Sequence, residues 1–302
     1  MALYGGIEAG GTKIVCAVGT DPSNFLAETR FPTAAPGEVI PRMIAFFEEQ
    51  TRLHGALSGL GIAAFGPVDP DRNSPTYGYV TTTPKPGWAR TDFAGAVQRA
   101  LRVPVGFDTD VNVAALGEGR WGAAQGLDDF MYLTVGTGVG GGVVTNGKLL
   151  HGLMHPEAGH IRPQHDWQRD PYPGHCPYHG DCLDGMVSGP AIQERVGVRG
   201  NELGEEHPVW DLVADYLGQG CATYVVTLCP RRIIIGGGVM EHTFLYQRVR
   251  ERTAHYLNGY IQVREILHDI DQFIVPPGLG NRSGVLGAFA LAELTAQAAG
   301  TA

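Results

Sequence analysis

The sequence predicts an α/β protein made of two similar halves, with an irregular loop set into the second. Short β-rich segments alternate with segments of helical apolar spacing. A strand–glycine turn–strand pattern at 5–18 returns at 133–144. The stretch "CPYHGDC" at 176–182 puts two cysteines and a histidine inside a segment, 155–190, that has no hydrophobic period.

The elements follow in order. "LYGGIEAGGTKIVCAVG" reads as strand, glycine turn, strand, and residues 38–53 carry the apolar spacing of a helix. "LSGLGIAAFG" (57–66) reads as a buried strand ending in a glycine turn. Residues 67–91, including "SPTYGYVTTTPKPGW", form a long Pro- and Thr-rich loop of the kind that often serves function. "VPVGFDTD" (103–110) is a strand ending in acids, and a helix starts at 111. Residues 130–150 read as two strands around a glycine turn, with Asn146-Gly147 as a further hairpin turn. A long helix spans 209–229, "RRIIIGGGVM" runs a strand into three glycines, a helix covers 245–258, and "GLGNRSGVLGAFALAEL" feeds a final helix. The "FG" and "GGG" strand ends at 65 and 236 extend the internal echo.

Composition removes several function classes. The net charge is −9 and no basic run exceeds a pair of arginines, so neither nucleic acid nor an anionic membrane surface is an expected partner. No stretch of 18 apolar residues occurs, and the opening residues do not read as a signal peptide, so the expected location is cytoplasmic. Five cysteines in 302 residues do not make a disulfide framework and suit thiols or metal ligands.

The glycine turns suggest phosphate chemistry. "GIEAGGTK" has the glycine gap of a P-loop, but Thr12 and Lys13 stand in reversed order and a strand follows where a P-loop opens a helix. A hairpin with Gly10, Gly11 and Thr12 at its tip can still offer N–H groups and a hydroxyl to phosphate oxygens; the plainer alternative is an ordinary turn. "GTGVGG" (136–141) matches the dinucleotide pattern on paper, with Glu157 about 20 residues on, yet a β-branched run follows it. A second phosphate-binding hairpin, with Thr137 as hydroxyl donor, fits better.

The C-x2-H-x2-C spacing suits a tight loop around one ion, and zinc takes four N or S ligands when structural. Two cysteines and His179 supply three. His155, His160, His165 and His175 are upstream candidates for the fourth, although His175 would crowd Cys176. Asp108 and Asp110 lie two apart at a strand end. Asp110 is read either as a proton acceptor at a cleft floor or as the cap of the helix that follows.

Taken together, "EAGGTK", "VGTGVGGG" and "GGGVM" resemble the sugar kinases of the actin/hexokinase-type ATPases. "SPTYGYVTTTPKPGW", "HPEAGH", "CPYHGDC" and "SGPAI" narrow the resemblance to the ROK family (repressor, open reading frame, kinase), and within it to the zinc-containing bacterial fructokinases. The likeness runs from residue 4 to about 294.

The resemblance implies a two-lobed ribonuclease H-like α/β fold with a structural zinc loop. One lobe would be 1–112 plus 281–302, and the other 113–280, with ATP and sugar meeting in a cleft whose closure excludes water. It implies ATP-dependent phosphorylation of fructose at the 6-hydroxyl. Asp110 would be the general base, in register with a pattern that also covers Asn112 and Glu118. Phosphate and nucleotide would be held by Gly10, Gly11, Thr12, Lys13, Thr137, Gly138, Pro190, Gly237, Gly238 and Glu241. Sugar would meet Thr109, where glucokinases of the family carry Asn, together with Glu157, His160 and Asp184, the last standing where Glu is usual. Asp69 and the "TTTPKPGW" loop would line the same side. The zinc set would be His160, Cys176, His179 and Cys182, closed and therefore structural. Glu8 would reach Mg2+ through water, and the assembly would be a homodimer. Against this stand kinases of mannose, glucose or several hexoses, a non-catalytic sugar sensor, and a zinc hydrolase. The absence of a DNA-binding arm ahead of the first strand makes a kinase the expectation over a regulator, and a hydrolase needs an open metal position.

Overall fold

The computed structural model describes residues 2–83 and 85–300. Pro84 of the "TTTPKPGW" loop and the last two residues of the C-terminal segment lie outside them. The strands are β1 (Tyr4–Ala9), β2 (Lys13–Gly19), β3 (Phe25–Pro32), β4 (Gly59–Ala64), β5 (Tyr79–Val80), β6 (Thr91–Asp92), β7 (Val105–Thr109), β8 (Phe130–Val135), β9 (Val139–Thr145), β10 (Lys148–Leu149), β11 (Ile233–Gly236) and β12 (Ile274–Val275). The helices are α1 (Pro36–His54), α2 (Phe93–Leu101), α3 (Asp110–Trp121), α4 (Leu183–Val187), α5 (Gly189–Val196), α6 (Val209–Leu228), α7 (Leu245–Leu257), α8 (Arg264–Leu267), α9 (Ile270–Phe273) and α10 (Ser283–Gly300).

The chain forms two compact units. The first comprises 1–125, 149–155 and 282–302, and the second 126–148 and 156–281. A boundary after residue 112 would cut α3, which belongs whole to the first unit. α3 packs on α10: the backbones approach so closely at Gly287 that a Cβ there would run into the Val113 carbonyl. Overpacking of this kind costs about 1–3 kcal/mol. Gly287→Ala is therefore expected to lower the urea midpoint without changing the fold, as read by circular dichroism.

The first unit holds a sheet of order β3-β2-β1-β4-β7. β1 pairs antiparallel with β2 and parallel with β4, and β4 pairs parallel with β7. Both neighbours of β1 put Ile7 opposite an apolar residue, Cys16 on one side and Ile62 on the other, and all three are fully buried. The register also sets strand ends level: Ala9 pairs with Ala64, and Ala64 with Thr109. The Gly10–Thr12 tip and Asp110 thus issue from the same, carboxyl-terminal end of the sheet, where open α/β sheets bind ligands.

The second unit repeats the plan. Its sheet has order β10-β9-β8-β11-β12, with β8 antiparallel to β9 and parallel to β11. Position for position this is the first sheet again, so the echo read in the sequence is an echo of topology. Asn146 and Gly147 take φ of 50° and 70° at the expected hairpin turn.

Several elements escape the sequence reading. β3 carries apolar and charged residues without clean alternation, and only Phe31 is buried. α2 has its own start signal: Asp92 accepts from the Gly95 N–H, and Phe93, Ala94 and Val97 are buried at helical spacing. The 155–190 segment is irregular as expected until α4 begins at Leu183.

Candidate active site and metal centre

The tip between β1 and β2 has its carbonyls occupied. Gly10 O accepts from Thr33 Oγ1 (2.7 Å) and Gly11 O from Lys85 Nζ (2.6 Å). Thr12 O accepts from Thr33 N (3.0 Å) and Lys13 O from Gly10 N (2.9 Å). With the acceptors taken, what this tip can offer an anion is N–H and hydroxyl donors, beside the Lys85 ammonium. Lys85 was missed in the sequence because it is one lysine in a loop without period. The same loop is anchored by Trp88, which is 1% exposed between Phe65 and Phe93 and donates Nε1–H to Ala34 O. Trp88 is therefore core rather than sugar-side lining. Asp69 is committed to its own turn, accepting from Ser74 Oγ (2.5 Å) and Thr76 Oγ1 (2.6 Å).

Asp110 is the first residue of α3, and Thr109 caps it. Thr109 is extended (φ −63°, ψ 151°) and its Oγ1 accepts from Asn112 N. The cap is thus supplied by the neighbour, and the alternative in which Asp110 serves only to cap the helix loses its basis. Asp110 Oδ1 accepts from Val111 N at 2.9 Å, and the residue is half-buried at the level strand ends. Thr109, expected at the sugar, is 3% exposed and spends its oxygen on the cap. Glu118, in the same register, is a brace: it accepts from Ser283 Oγ and Ala123 N, both at 2.7 Å, fastening both ends of α3's last turn and α10 together.

Glu8 lies on β1 at the start of α10. Burial pushes its carboxyl up, against the pull of Lys13, Arg30 and the Val285 N–H. Gly284 leaves it room, since a Cβ there would meet the Glu8 carboxyl carbon at 2.7 Å.

In the second unit the β8–β9 tip, the start of α5 and the glycines after β11 come together. Gly136 O accepts from Gly189 N at 2.7 Å, beside Pro190 in the first turn of α5. Gly237 (φ 94°) sits so close to the Val135 carbonyl that only glycine fits, and Gly238 N lies next to Gly136. Thr137, Gly138, Pro190, Gly237 and Gly238 are thereby neighbours, with Glu241 exposed on the short helical turn that follows. Asp184 Oδ1 accepts from Val139 N at 2.6 Å. This acid, expected at the sugar, is tied by one oxygen to the glycine hairpin.

The four proposed ligands converge. The ligand atoms of His160, Cys176, His179 and Cys182 lie within 4.8 Å of one another. His160 Nδ1 is 3.3 Å from His179 Nδ1, 3.4 Å from Cys182 Sγ and 3.8 Å from Cys176 Sγ, and Cys176 Sγ is 3.6 Å from His179 Nδ1. Tetrahedral zinc with ordinary bond lengths would give edges of about 3.3 Å for N–N and about 3.6 Å for N–S. Burial and the neighbouring Cys176 sulfur push the Cys182 thiol up to about 12, so a cation is what would keep two thiolates side by side. His165, a candidate fourth ligand, instead bonds Asp181 and the Asp170 carbonyl. His155 accepts from Val68 N in the first unit, and His175 bonds Glu194.

The ring orientation of His160 matters. Nδ1 faces the cluster, while Nε2 lies 3.9 Å from Glu157 Oε2. Both members of the "EAGH" pair therefore stand beside the metal set, held from below by Tyr224, whose hydroxyl donates to Ala158 O. A second brace was not legible: buried Asp170 accepts from Arg195 Nη2 (3.1 Å) and Tyr216 OH (2.9 Å).

Among the described residues no helix is long and apolar enough to cross a membrane. The ROK family model matches residues 4–294. A fructokinase of Zymomonas mobilis is 43% identical over 294 residues, covering 96% of each chain. A fructokinase of Pediococcus pentosaceus is 40% identical over 291 residues, covering 96% of this chain and 98% of its own. Among solved structures, the ROK hexokinase of Thermus thermophilus superposes with a TM-score of 0.77 at 27% identity, covering 98% and 99% of the two chains. A match over nearly the whole length, to both sequences and structure, means that this chain belongs to the ROK family of sugar kinases.

Proposed function

We propose that the protein is a fructokinase that transfers the γ-phosphoryl group of ATP to the 6-hydroxyl of fructose. The observation that carries this reading is the 40–45% identity to fructokinases along nearly the entire chain. Phosphoryl transfer asks for little covalent chemistry: an aligned hydroxyl, a proton acceptor and neutralised phosphate charge. Asp110 takes the hydroxyl proton. The Gly10–Thr12 tip, Lys13, Thr137 and Gly138 donate to phosphate oxygens, and Pro190, Gly237, Gly238 and Glu241 border the nucleoside. Glu157 and His160 read the sugar, and Thr109 and Asp184 are the further residues assigned to it.

Mg2+ bound with ATP would offset the charge of the phosphate oxygens. Glu8 is the acid that would reach it through a water. The ion in the four-ligand site is read as zinc, held by His160, Cys176, His179 and Cys182. A complete set of protein ligands leaves no position for reacting water, so its work is to hold the loop and the His160 ring. On the family resemblance alone, the assembly is a homodimer.

A second reading, a kinase of glucose or several hexoses, draws on structural neighbours. One is the Thermus hexokinase; another is a Streptomyces griseus glucokinase solved with glucose and AMPPNP, at 25% identity and a TM-score of 0.77. Coupled ADP release across fructose, mannose and glucose, with and without magnesium, separates the two. Fructose is expected to give the highest kcat/KM, by about tenfold or more over the others. Equal efficiency for glucose would favour the broader enzyme, and no hexose-dependent ADP release would remove the kinase reading.

A further inference from the structure

The pair Asp108 and His151 has no place in the site as assigned so far, yet it borders Asp110. Asp108 is 3% exposed and gathers three donors. Its Oδ1 accepts from Thr109 N and from Asn112 Nδ2, both at 2.7 Å, and its Oδ2 lies 2.8 Å from His151 Nε2. Asn112 is itself fully buried, and its backbone N–H is the one capped by Thr109. One carboxylate therefore ties down the residue before Asp110 and the residue two after it. The residue holding the far side of that carboxylate comes from 149–155, a short segment that returns to the first unit from the middle of the chain.

A buried carboxylate is stable only when paired or well hydrogen-bonded. His151 supplies the pairing: its Nε2 lies 2.8 Å from Asp108 Oδ2, and that hydrogen bond raises the imidazole's proton affinity above that of a free ring despite partial burial. Take the ring away and the buried Asp108 Oδ2 loses that partner. A carboxylate held on one oxygen only, by Thr109 N and Asn112 Nδ2, is free to turn, and its grip on the two residues loosens. The start of α3 then loses the contacts that aim Asp110.

We propose that His151 is a positioning residue for phosphoryl transfer: acting through Asp108, it fixes Thr109 and the first turn of α3 and so sets the direction of the Asp110 carboxylate. The inference rests on the kinase reading and adds a residue to it. Misplacing a reacting group by about 1 Å costs about 100-fold in rate, so a loosened turn should show as a loss of kcat.

The test uses steady-state kinetics with fructose and MgATP on the full chain. His151→Ala is expected to lower kcat by about tenfold with both KM values within about twofold, consistent with a group that acts only on alignment. His151→Gln keeps a donor toward Asp108 and should restore kcat to within about threefold. Asp108→Asn combined with His151→Ala should be no worse than Asp108→Asn alone, the non-additivity expected of residues in one network. The melting temperature of each variant shows whether the fold is kept. An undiminished kcat in His151→Ala, a loss confined to KM or melting temperature, or additive losses in the double variant would overturn the role. If the unaltered protein turns over no hexose, the kinase reading falls and this inference falls with it. If it does and His151→Ala matches it, only the inference falls.

Discussion

Asp110→Asn is expected to leave the protein folded and binding both substrates while lowering kcat by about 10²–10⁴-fold, the usual worth of a general base. The substitution is isosteric, and the amide oxygen can still accept from Val111 N, as the carboxylate does at 2.9 Å. The helix does not depend on the charge for its cap, because Thr109 provides it. Thermal midpoints should therefore agree within about 2 °C. KM for ATP should stay near that of the unaltered protein, because the proposed phosphate contacts lie on the glycine tips. Near-normal turnover would sink the assignment, and a collapse of stability would show that Asp110 carries a structural load not visible in its contacts.

Stripping the metal should damage two properties at once. The loop from 155 to 182 has almost no regular structure beyond a three-residue helical turn at Ala158–His160, and the four-ligand cluster and the Asp170–Arg195–Tyr216 knot are among the contacts that hold it. Metal binding can supply the folding energy such a segment lacks. Prolonged chelation is expected to lower the melting temperature by about 10 °C and to raise KM for fructose about tenfold or more, while KM for ATP moves little. The split follows from His160, whose Nδ1 faces the cluster and whose Nε2 lies toward Glu157. Zinc added back should restore both, and metal analysis should return one zinc per chain. Unchanged fructose KM in verified metal-free protein would separate the loop from sugar recognition.

Legibility in the sequence followed the kind of force at work. The Ile7, Cys16 and Ile62 strands were readable because burial on both faces leaves an apolar run. The metal set was readable because ligand spacing is chemically constrained: three ligands lie within seven residues, and the family pattern supplied His160. Lys85, His151 and Arg195 were not readable. Each makes a contact across 25 to 74 residues of sequence to a carbonyl or carboxylate, Gly11 O, Asp108 and Asp170 respectively. A lone long-range polar contact leaves no period and no motif. Asp184 lies between these cases. Its position was marked by the pattern, but the shorter arm puts one oxygen on the Val139 N–H, a geometric outcome that residue type alone does not give.

The matching strand orders of the two sheets carry a consequence for how such a protein can change. In the first half the connection from third strand to fourth is α1 alone, residues 36–54. In the second half the corresponding connection, from β10 to β11, also holds the metal loop, α4, α5 and α6. The metal loop is therefore an elaboration inside one crossover, and neither sheet needs it to close its hydrogen-bond ladders. If the proposed sugar residues of that connection read the substrate, the connection can be exchanged, lengthened or rebuilt around another ion while the strand ends proposed to handle phosphate keep their register. A division of this kind would let substitutions in the crossover alter substrate choice without disturbing the ladders of either sheet.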